Sequence, residues 1–163
     1  MHSISTTAQE TDALCVTQQN GRAPREPWRI PVRCGFGWPS VLETAPELVD
    51  GTPFPTLYWL TCPWLVEAIG REESEGRVVR EAERLTNERE RADSMIGADA
   101  EYRERRRVAG AGIDPVGSTG IAGQKDPLKT KCLHAHVAAY LSGIADPIGA
   151  TLLGEVPSEC TDD

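Results

Sequence analysis

At Thr61-Cys62-Pro63 the chain changes its periodicity, and that change limits the folds open to it. Before it, WRIPVRCGFGWPSVLETAPELVDGTPFPTLYWLTC (28–62) holds most of the aromatic residues and many of the prolines. Prolines at this density forbid a long helix, so short extended pieces near 29–33 and 56–61 are expected. Turns fall at Gly35–Gly37 and Asp50-Gly51. Beyond Pro63 the spacing becomes helical. Thr61 or Cys62 can cap a helix with Pro63 in its first turn, where the missing N–H costs nothing. That helix, WLVEAIGREESE, should stop near Gly76, a residue suited to the left-handed position after a helix.

A second helical pattern follows, with Val78, Ala82, Leu85, Ala92 and Ile96 forming an apolar stripe. Between Arg71 and Arg107 stand ten arginines and eleven acids, a highly charged but nearly neutral surface. Acid-before-base pairs such as Glu73–Arg77 and Glu101–Arg105 add a few tenths of a kcal/mol each, by rough measure. A helical hairpin or a partner-binding helix over 78–108 fits this pattern. The cluster Arg103, Arg105, Arg106 and Arg107 alternates with Glu101 and Glu104, which reads as a solvated face. Residues 109–127 form a glycine-rich loop, KCLHAHVAAYLSG (131–143) a closing helix, and IGATLLGEV a short apolar element after a turn at Asp146-Pro147.

The expected fold is therefore α+β. It is a small single domain, mainly helical in its C-terminal two-thirds, with short strands and Pro/Gly-rich loops on the N-terminal side. Residues 1–27 and 156–163 are polar and poor in anchors, which predicts disordered tails around a globular unit at 28–155. Cys15 and Cys160 would then be incidental.

Charge and hydropathy remove several functions. A net charge of −8 over 163 residues argues against nucleic acid as the main partner, because duplex binding rests on a basic face. The most apolar run, PTLYWLTCPWLVEAIG, is interrupted by Pro63 and too short to span a bilayer. The first twenty residues lack the cationic start and apolar run of a secretory signal. Five cysteines, an odd number without an export signal, read as reduced thiols in a cytoplasmic protein.

The chemistry concentrates in KCLHAHVAAYLSG. Ala135, Ala138, Ala139 and Gly143 favour a helix with Leu133, Val137, Tyr140 and Leu141 on one stripe. On a helix, Cys132 and His136 lie ~40° apart and can share one ion, whereas His134 and His136 lie ~160° apart. On a strand, Cys132, His134 and His136 would all point one way. With Cys34 and Cys62 added, Cys132 and His136 complete a Cys₃His set, a known zinc arrangement. Two other readings stand beside it. The cysteines can be small buried hydrophobes with satisfied histidines, or Cys132 or His134 can be a catalytic nucleophile or acid. GSTGIAG offers backbone N–H groups that, with Arg33, Ser118, Thr119, Gly120 and Lys131, would suit an anion such as a phosphate. A plain flexible connection is the alternative.

Two resemblances bear on these residues. The order C-φ-H-φ-H-φ-φ is similar to the histidine-triad nucleotide hydrolases, with Cys132 in the first histidine's place and His134 in the nucleophile's. GTPFPTLYWLTCP, GSTGIAG, KCLHAHVAAYLSG and the following DPIG together resemble the bacterial domain-of-unknown-function 501 family over residues 28–155. That resemblance implies no established activity. It directs attention to Arg33, Cys34, Cys62, Lys131, Cys132, His134 and His136, and through the family's gene neighbourhood it hints at cell division or phosphate metabolism. Three functional expectations result: a zinc-binding domain, a phosphoester- or nucleotide-acting enzyme, and a division adaptor that contacts protein through the charged helices 78–108.

Overall fold

A computed structural model describes residues 7–156. Of the tail expected at 156–163, Val156 is buried at the end of the last helix, and residues 157–163, with Cys160, lie outside the described residues, as do residues 1–6. Three strands form an antiparallel sheet in the order β1 (Trp28–Arg33), β2 (Pro39–Thr44), β3 (Tyr58–Leu60). Around it stand six helices: α1 (Ala8–Asn20), α2 (Pro63–Ser74), α3 (Arg77–Asn87), α4 (Arg89–Ala109), α5 (Leu133–Leu141) and α6 (Pro147–Glu155). The α+β expectation holds, with the sheet near the N-terminus and most helices after it.

Both outer strands fall where extended segments were expected, and β2 fills the space between them. Its sequence PSVLET does not alternate, yet every residue is buried. Its one charge, Glu43, is neutralised across the sheet by Arg29 at 2.7 and 2.8 Å, its register partner on β1. A buried carboxylate that meets a two-pronged guanidinium keeps its charge satisfied.

Pro63 opens α2 with Cys62 as the preceding residue, and Gly76 adopts the left-handed conformation (φ 80°) just past its end. The next stripe is not continuous. Glu88 is extended (φ −109°, ψ 100°), so α3 ends and α4 begins around it with a new phase. Leu85 is buried on α3, but on α4 the inward positions are Met95, Ala98 and Tyr102. Ile96, placed on the stripe by spacing from Val78, is exposed.

The arginine cluster of α4 is not one solvated face. Arg107 does point outward to Glu104, and the expected Glu101–Arg105 pair forms at 2.6 Å. Arg106 is completely buried. Its guanidinium donates to Asp114 at 2.9 Å and to the carbonyls of Pro55, Val116 and Thr119, and it stands 5.7 Å from the Tyr102 ring centroid. One arginine thus gathers the 53–57 approach to β3 and the 109–120 loop. The Tyr102 hydroxyl accepts the Leu57 N–H at 2.8 Å, and burial pushes this phenol up to about 12.

Charge is buried on α3 too. Glu81 is fully enclosed and meets Arg77 at 2.8 Å, Arg84 at 3.6 Å and Arg91 of α4. The Glu73–Arg77 pair does not form, because the helix stops between them. Arg77 instead reaches Glu72, Glu81 and Glu155, and Glu73 is left for another partner.

Two further segments differ from expectation. Residues 8–20, expected to belong to a disordered tail, form α1 with a reciprocal Thr7–Glu10 capping box and a buried Val16. The apolar element after Asp146-Pro147 is a helix, and Asp146 is its cap. The apolar core gathers Val41, Leu60, Ile69, Leu133, Val137, Ile148 and Leu152 among others, so α5 lies at its centre.

Candidate metal centre

The last turn of α2 carries the acids Glu72 and Glu73, and Glu75 follows as its cap. Carboxylates near a helix C-terminus oppose its dipole unless something else satisfies them. For Glu73 that something is the start of α5. Its Oε1 accepts the Leu133 N–H at 2.7 Å, one of the donors a helix N-terminus leaves unpaired. The same oxygen is 3.1 Å from His134 Nδ1. His134 Nε2 stands 3.0 Å from the carbonyl of Val66, one helical turn into α2.

Cys132 is the residue just before α5, in extended conformation (φ −141°, ψ 110°). Helical rotation therefore does not apply between positions 132 and 134; the local period is closer to two, which puts both side chains on one side. The Cys132 sulfur stands within 4.8 Å of a His134 ring nitrogen. Glu73, Cys132 and His134 each offer a ligand atom within 4.8 Å of the others, all half-buried. They are the one such group of three or more among the described residues.

The imidazole charge follows from these neighbours. Hydrogen bonding with Cys132 raises the His134 pKa most; partial burial opposes it, and the Val66 carbonyl and the Glu73 carboxylate add to the rise, to about 9. Without an ion, this pocket holds a proton.

The Cys₃His set expected from sequence is not assembled. His136, two residues beyond His134, faces the interior at 1% exposure. Its ring lies between Thr130 Oγ1, 2.7 Å from Nε2, and Asp146 Oδ2, 2.6 Å from Nδ1. The other oxygen of Asp146 caps α6 through the N–H groups of Ile148 and Gly149. Both ring nitrogens are thus committed. Cys62 is buried at the head of α2, and Cys34 sits in the β1–β2 turn. The four described cysteines form no disulfide.

The anion candidates are dispersed as well. Arg33 is clamped to Asp12 of α1 at 2.5 and 2.8 Å. Ser118 is exposed, and the Thr119 hydroxyl donates to Val116 O. The glycine-rich loop does wrap a carboxylate, but that carboxylate is Asp99 of α4. It accepts the Ile121 N–H at 3.0 Å, and a Cβ on Gly120 would fall 1.9 Å from its Oδ1. That close approach is why position 120 is glycine. Lys131 lies nearby, its Nζ 3.9 Å from where a Cβ of Gly123 would stand.

Helical spacing pairs Glu73 with Arg77, so that spacing does not mark it as a site residue. The signal in the sequence is three acids clustered at the C-terminal end of a helix, an arrangement that favours an outside partner. No helix among the described residues is long and apolar enough to cross a membrane. No curated protein and no solved structure is significantly similar to the chain. The family model described as Protein of unknown function (DUF501) matches residues 30–154, and the chain belongs to that family.

Proposed function

We propose that the protein binds a divalent transition metal, zinc by ligand chemistry, through Glu73, Cys132 and His134. One thiolate, one imidazole and one carboxylate suit zinc's borderline character. The observation that carries the reading is the outer shell. A metal-bound histidine usually donates its second ring N–H to a carbonyl or carboxylate, which fixes its orientation. His134 Nε2 has that partner in Val66 O, leaving Nδ1 toward Glu73 and the ion. The Glu73 oxygen is held by Leu133 N–H. The 3.1 Å separation of Oε1 and Nδ1 is a few tenths of an ångström short of the ~3.4 Å edge of a tetrahedron with bonds near 2.1 Å.

Three protein ligands leave one position for water or substrate, the pattern of catalytic rather than closed structural sites. When bound there, zinc would supply Lewis-acid activation of a carbonyl or phosphoryl oxygen, or of a water. The chain's own residues do the rest: Val66 O orients the imidazole, and the α5 N-terminus steadies the carboxylate.

The experiment is a cobalt titration of the chelated protein followed by zinc competition. One equivalent should bind with a thiolate-to-cobalt charge-transfer band that Cys132→Ser abolishes and Glu73→Gln weakens. Absence of the band, with under about a tenth of an equivalent of any transition metal in the purified protein, would remove the proposal.

A further inference from the structure

Cys15 and Cys34 stand on a polar helix and in a hairpin turn, respectively. Helix α1 lies across the closed end of the β1–β2 hairpin and is fastened at two points. Asp12 grips Arg33 through both carboxylate oxygens at 2.5 and 2.8 Å, and Gln19 Nε2 donates to Pro39 O at 2.8 Å. Arg33 and Pro39 are register partners on the two strands, so these anchors bracket the hairpin end. Positions 12, 15, 16 and 19 share one face of a helix, and Val16 on that face is fully buried. Cys15 therefore lies between the anchors and faces the hairpin. Cys34 directly follows Arg33, and its N–H donates to Trp38 O, which closes the turn at that residue.

We propose that Cys15 and Cys34 form a dithiol–disulfide site whose oxidation fastens α1 to the hairpin. Both thiols are half-buried and reduced in the structure. The charged or titratable groups bearing on Cys15 are Asp12, Arg33 and Cys34. Burial pushes the Cys15 thiol up, Asp12 and Cys34 add to that, and Arg33 opposes it. The co-reactant is a low-molecular-weight disulfide such as oxidised glutathione. One protein thiolate attacks a glutathione sulfur and expels one glutathione thiolate. The second protein sulfur then displaces the other glutathione, forming the S–S bond; both thiol protons end on the two released glutathiones. The protein loses two hydrogens and two electrons, and one disulfide becomes two thiols.

The site joins two parts of unequal standing, because Cys34 lies within the family-matched region and Cys15 precedes it. Helix α1 continues into Asn20–Arg25, which walls a cavity of about 150 Å³ opposite Leu42, Thr44, Phe54 and Trp59. Fastening α1 would hold that wall in place.

The test treats the full zinc-equilibrated chain with a series of glutathione redox buffers, traps free thiols and maps the peptides by mass spectrometry. The expected result is a Cys15–Cys34 linked peptide, two hydrogens lighter, that forms ahead of any pair involving Cys62, Cys132 or Cys160. Oxidation should raise the melting temperature by about 5–10 °C, since the bridge closes a loop of about twenty residues. Cys15→Ser should stop at a glutathione adduct on Cys34, with no rise in melting temperature. Adducts that accumulate at Cys15 or Cys34 in the unmutated chain without resolving, or a different cysteine pair forming first, would overturn the assignment. Circular dichroism of Cys15→Ser and Cys34→Ser, which should match the parent, separates loss of the bridge from loss of the fold.

Discussion

The two sides of the α5 N-terminus carry nearly the same side chains and do opposite things. On the outer side His134 joins Cys132 and Glu73, half-buried, with one nitrogen toward a carboxylate and the other on a carbonyl. On the inner side His136 joins Thr130 and Asp146, sealed from solvent, with both nitrogens on partners that have structural duties. The inner histidine links the loop before α5 to the cap of α6. The outer one belongs to a group whose ligand atoms all lie within 4.8 Å of one another and could hold a metal. Two residues of separation convert an imidazole from cement into a candidate site, because helix rotation turns one inward and the extended Cys132 keeps the other with the thiol.

That contrast can be broken by substitution. Asp146→Ala should have the largest effect, destabilising the protein by about 3–5 kcal/mol, since it strands a buried imidazole and uncaps α6. Urea unfolding measures this, and a loss below 1 kcal/mol would mean the inner side is not cement. Next, His134→Gln should weaken zinc binding by at least about 100-fold, or ~2.7 kcal/mol. Chelated stability should move by less than about 1 kcal/mol, as expected of a half-exposed position. An equal loss in both measurements would erase the distinction between the sides. Thr130→Val should cost about 1 kcal/mol, one hydrogen bond, and leave zinc affinity unchanged.

The smallest effect is in pH. In metal-free protein the His134 pKa rises from its ordinary 6.5 to about 9 on folding, so the folded state binds the proton more tightly. The resulting stability is fully present below about pH 6.5 and is lost as pH rises through 9. Solvent screening at this half-exposed site keeps the swing under about 1 kcal/mol. Chemical denaturation of chelated protein at pH 7 and 9.5 reads it, and His134→Gln should flatten the difference.

Much of the architecture was legible because it depends on local rules. Pro63 and Gly76 delimit α2, Gly143 follows α5 in left-handed conformation, and the outer strands lie in the Pro- and aromatic-rich segment. Strand β2 was hidden because a strand buried on every position need not alternate, and its charge is cancelled by Arg29 on a neighbouring strand. The phase of α4 was lost at Glu88, where one extended residue resets the rotation. Arg106 looked like its exposed neighbours because nothing in its vicinity along the chain reveals the three carbonyls it would meet.

The amino-acid sequence alone determined the bounds of α2, the end of α5 and the extended courses of β1 and β3. Backbone stereochemistry and short-range periodicity suffice for that. Tertiary structure decided the partners. Glu73 reaches Leu133 and His134 across about sixty residues, Asp146 takes His136, and Asp99 fills the glycine-rich loop. Pairings of this kind depend on how helices dock, and docking is set by the buried apolar surface of the whole chain rather than by the residues on either side of a motif.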